Sequence, residues 1–254
     1  QMKRLTYDRA YKLYGNTLST KGGIRVGFFD IIGPVMIGPS SSHTAGAARL
    51  GKLARICWGE APLSEVTFLL RGSFASTSRG HGTDKALVAG LLGMEPDDEG
   101  LRTALETAKE QGLPFRFERE DVDGAHPNSV RFCFTGRDGR TMEIVGASVG
   151  GGAVEILEID GFAMGITGEL PTLVTFHRDV HGVVAAVAAC FAEREINIAS
   201  MTLHRKAKGG LASLVAEMDM DMDGSPDPDL RKAIEAVHPA ILRVIPLYGR
   251  GGPS

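Results

Sequence analysis

Cysteine is scarce and scattered in this sequence: Cys57, Cys133 and Cys190 are the only three in 254 residues, with no CxxC or CxH spacing. That pattern excludes a disulfide framework and a self-contained zinc or iron–sulfur site, so no metal ligand is expected on this chain. Long apolar runs are missing too. Nothing approaches the roughly 20 residues a membrane helix needs, and the first residues lack the basic, apolar and small-residue order of a secretory signal. The expectation is a cytoplasmic protein that does not use a membrane. Concentrated positive charge is also lacking, since the formal net charge is -3 and no Lys/Arg block occurs. Nucleic-acid binding needs such a block to displace phosphate counterions, so nucleic acid is not an expected partner. No GxxxxGK[ST] phosphate loop is present, which leaves ATP without support.

What is present is ordinary globular composition, 43% hydrophobic and 23% charged, enough for one large or two ordinary domains. Residues 1–23 hold three of the four tyrosines and end in Gly22-Gly23, and read as an N-terminal extension. A first domain is expected over 24–169, because Gly168-Glu169-Leu170-Pro171 interrupts the pattern before the strand-like run "TLVTFH". Within it, "AGAARLGKLARICW", "TDKALVAGLLGM" and "GLRTALETAKEQG" read as helices. "EVTFLLRGSF" and "VRFCFTGRDGRTMEIVGASVGGG" read as strands, the latter folded about an RDG turn. The order suggests an α+β domain with helices covering an antiparallel or mixed sheet. The tail, 170–254, reads as strand 172–178, helix 182–194, strands 198–205 and 211–219, helix 227–237 and strand 241–247. That is the βαββαβ order of a ferredoxin-like module.

Four polar knots interrupt the first domain. "GPSSSHTAGAARLG" crowds Ser40, Ser41, Ser42, His43 and Thr44 ahead of a helix, directly after the apolar run "FFDIIGPVMIG". Ser41 or Ser42 would cap the helix, but three hydroxyls exceed the need of one cap, and the helix start presents amides to a carboxylate. In the second knot, Gly72 to Asp84, His81 stands between two glycines and is open to a ligand, with Thr83 or Asp84 as the following cap. His126-Pro127-Asn128 and Ser148-Val149-Gly150-Gly151-Gly152 are the third and fourth. Each is an ordinary turn on its own. A serine hydrolase is disfavoured, because no GxSxG elbow is recognised and a serine adjacent in sequence to a histidine does not make a triad.

Together "FFDIIGPVMIGPSSSHTAGAARLG", "GSFASTSRGHGTDKALVAGLLG", "HPNSVRF" and "GASVGGG" resemble the β chain of the iron–sulfur-dependent L-serine dehydratases, in family order over about residues 24–165. The tail from Thr172 resembles an ACT domain. The resemblance implies a first domain like the allosteric substrate-binding domain of some phosphoglycerate dehydrogenases. It implies a partner α chain carrying a four-iron four-sulfur cluster, and conversion of L-serine to pyruvate and ammonia by the pair. Such chemistry needs a base for the α-proton, a carboxylate clamp and a Lewis acid on the leaving oxygen. By motif, His81 and His43 would transfer the proton, with Thr83 and Asp84 orienting an imidazole. Ser40, Ser41, Ser42 and Thr44 would clamp the carboxylate, and His126, Asn128, Ser148, Gly150 and Gly151 would line the pocket. In the tail, His181, Gly182, Asn197 and Ile198 would hold a regulatory amino acid, with serine the expected effector at a β–β contact between ACT domains. The competing expectation is a non-catalytic amino-acid-sensing subunit.

Overall fold

The computed structural model describes residues 18–19, 25–26, 36–38, 40–219 and 229–248. Most of the expected extension, the bulk of the "FFDIIGPVMIG" run and the expected start of the last helix lie outside the described residues. Two short strands pair first, β1 (Leu18–Ser19) with β2 (Arg25–Val26). The first sheet then comprises β3 (Leu63–Leu70), β4 (Phe115–Arg119), β5 (Ser129–Gly136), β6 (Thr141–Gly150), β7 (Ala153–Ile159) and β8 (Phe162–Ile166). Its spatial order is β4-β3-β5-β6-β7-β8, with β3 and β4 parallel and every other pair antiparallel.

Register explains which face is buried. Side chains alternate across a strand, so the paired rows Val66/Phe134/Met142 and Phe68/Phe132/Ile144 share one face, and all six are buried. The opposite face of the same pairs carries Glu65, Thr67, Arg131, Cys133 and Glu143, where Arg131 pairs with Glu120 and Glu143. The apolar face is covered by α1 (Ala47–Trp58) and α3 (Thr83–Leu91). These two helices approach closely because Gly51 and Gly90 face each other's helix backbone. Each fully buried Leu or Phe on this face contributes about 1.5–3 kcal/mol relative to exposure.

The second sheet holds β9 (Thr172–Arg178), β10 (Ile198–Arg205), β11 (Leu211–Met218) and β12 (Ile241–Leu247), all antiparallel, in the order β10-β11-β9-β12. With α5 (Val183–Ala192) and α6 (Leu230–Ala236) this is a βαββαβ unit. One face buries Leu173, Leu214, Ala216 and Val244 against the helices. The other face turns Val174, Phe176, Val215 and Ile245 into the core of the first sheet. The β7–β8 turn joins the two: Phe162 meets Phe176 edge to face at 5.5 Å, and Arg243 pairs with Asp160 at 2.6 Å.

Several expectations need correction. The strand predicted over 65–74 ends at Leu70, and Gly72–His81 is itself a helix, α2. Its small and hydroxylated residues carry no apolar period, which is why a loop was expected there. Glu99–Thr103 is a 3-10 turn leading into α4 (Ala104–Glu110), so the "GLRTALETAKEQG" helix is shorter than its run. Strands β4, β7 and β8 had not been anticipated.

Candidate functional site

The opening serine cluster forms a π-helical turn, Ser41–Gly46, that runs into α1. Its cap is Ser40, not Ser41 or Ser42: the Ser40 hydroxyl accepts the His43 amide at 3.2 Å. Wide π turns occur mainly where function tolerates a poorer hydrogen-bond ladder. The turn packs on β6, where Gly46 lies against Ser148 so closely that any side chain there would collide with the serine.

His43 lies at the centre of this site. Its Nε2 is 3.0 Å from the Ser73 hydroxyl and its Nδ1 is 3.3 Å from the Ser40 hydroxyl. The His81 ring stands 5.1 Å away, edge to face, and Phe74 closes another side at 5.4 Å. Burial, and then the adjacent His81, hold the His43 imidazole below its ordinary value, while the Ser73 bond opposes them. A neutral His43 can accept a proton. His81 is exposed at the end of α2.

The π turn, the start of α3, the 126–128 loop and β6 each hold a buried polar atom without a hydrogen-bond partner: Thr44 Oγ1, Thr83 Oγ1, Asn128 Oδ1 and Ser148 Oγ. Leaving such an atom unsatisfied costs about 1–3 kcal/mol, so each of the four calls for a physical explanation. The 126–128 loop is fastened to the start of α2: Phe74 N donates to the Pro127 carbonyl at 3.3 Å. Gly72, at φ 50°, lies against the Pro127 backbone, and both the conformation and the contact require a glycine. His126 Nδ1 accepts the Asn128 amide at 3.2 Å.

The structure gives several of the expected site residues other partners or none. Asp84 accepts its neighbour's amide at Lys85, Thr83 Oγ1 has no partner, and the cap between α2 and α3 is Gly82. The groups that orient an imidazole are Ser40 and Ser73, and Ser73 had not been singled out. Gly150 and Gly151 form the β6–β7 turn, tied down by Arg49 donating to the Gly152 carbonyl at 3.0 Å. Gly146-Ala147-Ser148-Val149-Gly150 spells the GxSxG of a hydrolase elbow, which sequence reasoning passed over. Ser148 lies inside a strand with its hydroxyl unpartnered, not on a strand-to-helix turn beside a base.

In the tail, His181 and Gly182 precede α5, while Asn197 and Ile198 follow it. The ten-residue helix, about 15 Å long, lies between the two pairs along the chain. Asn197 Nδ2 donates to Asp219 at 3.3 Å. Among the described residues no group of three or more His, Cys, Asp or Glu side chains converges to hold a metal. Cys57 is buried, which pushes its thiol up to about 12, and Cys190 is buried as well. An iron–sulfur cluster needs converging thiolates, so the described residues do not fit one. No described helix is long and apolar enough to cross a membrane.

These features coincide with a family. Residues 27–113 match the family described as "Serine dehydratase beta chain", and the chain belongs to it. It is 43% identical over 195 residues to "Probable L-serine dehydratase, beta chain" of Bacillus subtilis (strain 168), covering 77% of this chain and 88% of that one. It is 39% identical over 198 residues to "L-serine dehydratase, beta chain" of Peptoniphilus asaccharolyticus, covering 78% and 89%. A more distant relative is "D-3-phosphoglycerate dehydrogenase" of Bacillus subtilis (strain 168), 29% identical over 70% of this chain and 33% of that protein.

Proposed function

We propose that this chain is the β subunit of an L-serine ammonia-lyase and contributes half of an active site completed by an α chain. The observation that carries the reading is the meeting of His43, Ser73 and His81 at the π turn, which also holds the buried, unpartnered Thr44 hydroxyl. The serine carboxylate sits at the 40–44 turn, on the hydroxyls of Ser40, Ser41, Ser42 and Thr44 and the amides of the turn. His81 takes the α-proton, with His43 beside it, kept neutral by burial and oriented by Ser40 and Ser73. Loss of that proton and of the β-hydroxyl gives 2-aminoacrylate and water. Its imine tautomer is hydrolysed to pyruvate and ammonia.

The iron–sulfur cluster belongs to the α chain, since the described residues of this one do not fit it. This chain binds, orients and moves the proton. The two regions are a 24–169 domain of the allosteric substrate-binding type and a 170–254 ACT domain. The ACT domain self-associates and binds serine where His181 and Gly182 of one copy meet Asn197 and Ile198 of another. The exposure of Val184 and Leu203 favours a contact between copies.

The test is co-purification with an α chain, anaerobic cluster reconstitution and a pyruvate assay with L-serine. The reading predicts pyruvate from the pair and none from either chain alone. A cluster-loaded pair that binds serine without forming pyruvate would instead make this a sensing subunit.

A further inference from the structure

We propose that the cavity at the junction of the two sheets is a binding site for a small oxyanion, a carboxylate or phosphate of a few heavy atoms. The cavity measures about 240 Å³, below the roughly 300–1,000 Å³ of sites for drug-sized ligands. Three guanidinium groups line it, Arg140 from the β5–β6 turn, Arg231 from α6 and Arg243 from β12, with Glu60 the one carboxylate among the lining residues.

Each arginine is braced in a way that leaves donors over. Arg140 lies 3.9 Å above the Trp58 ring and donates one N–H to the Trp58 carbonyl, while its buried Nε has no partner. Arg243 stacks on Phe176 and gives Nη2 to Asp160, and Arg231 gives Nε to Glu235. A guanidinium carries five N–H donors in a rigid fork that matches carboxylate and phosphate edges. Bracing by ring faces and single bonds pre-organises three such forks around one space. An anion there lowers their mutual repulsion.

The lining comes from both sheets, so an occupant ties the tail to the first sheet and stabilises their junction by linkage. This site is independent of the proposed reaction and lies among residues that take no part in it.

Trp58 is the only tryptophan of the chain and lines the cavity, so its fluorescence reads occupancy in the full chain. The titrants are inorganic phosphate and pyruvate, added at constant ionic strength against chloride. The expected result is a saturable change with a midpoint below about 1 mM for at least one of them. Which titrant responds identifies phosphate or carboxylate as the preferred head. Arg231→Ala, on a side chain 56% exposed, and Arg140→Gln should each raise the midpoint at least about tenfold. The proposal is overturned by no saturable response to either anion up to about 10 mM, by an equal response to chloride, or by unchanged midpoints in both variants.

Discussion

The six-stranded and four-stranded sheets both bury polar atoms without partners, but they place them differently. In the first, Thr44, Thr83, Asn128 and Ser148 stand in a turn, at a helix start, in a loop and inside a strand. In the second, Thr175, His177 and Ser213 lie on the paired strands β9 and β11, and five of the seven exposed large hydrophobics among the described residues are here: Val180, Val184, Leu203, Leu211 and Leu242. One region is unfinished in hydrogen bonding. The other is unfinished in hydrophobic cover. The first deficit calls for a polar ligand and the second for another protein surface.

Matched substitutions break this comparison most sharply. Thr44→Val removes an unsatisfied buried hydroxyl, so it should leave thermal stability unchanged or raise it by up to about 1 kcal/mol. Turnover of the reconstituted α/β pair should nevertheless fall about 10²-fold, the usual cost of losing one preorganised polar contact to the reacting group. Thr175→Val makes the same chemical change in the tail and should leave turnover within about twofold. Equal losses from both, measured by pyruvate release and calorimetry, would erase the distinction. On the tail side, Val184→Asp places a charge on the exposed apolar face of α5. Light scattering should then show at least about tenfold weaker self-association, with turnover per pair retained.

The smallest effect is a titration. The folded-state value of His43 lies below its ordinary 6.5, so in the window beneath 6.5 the unfolded chain holds the extra proton. The stability that the neutral ring contributes is present above that value and lost as pH falls through the folded one. Because His81 is the second cause of the shift, His81→Gln should move the His43 midpoint upward in an NMR titration. An unchanged or lower midpoint would separate the two rings.

The tail was more legible in the sequence than the site. Strands 172–178, 198–205 and 241–247 match their observed bounds, because apolar runs separated by Gly and Asp turns leave little freedom of assignment. The serine-rich segment 72–81 was not readable as α2. Its helix is held by tertiary contacts, including the Pro127 loop against Gly72 and buried Phe74, and not by any periodicity of its own. The residue types of the site were visible in the four knots, but their pairing was not. The bond from Ser73 to His43 spans thirty positions, and nothing in local spacing distinguishes Ser73 from its serine neighbours. Ser40 displaced Ser41 as the cap because the turn that follows is π-helical, a geometry without a sequence signature.

The account rests on the first region being half of a serine-dehydrating site, and His81→Ala tests this most directly. His81 is exposed and its removal leaves no buried cavity, so α-chain binding and thermal unfolding should match those of the unsubstituted chain. Pyruvate formation from L-serine by the reconstituted pair should fall by at least about 10²-fold. Near-normal turnover in an intact, cluster-loaded complex would contradict the assignment.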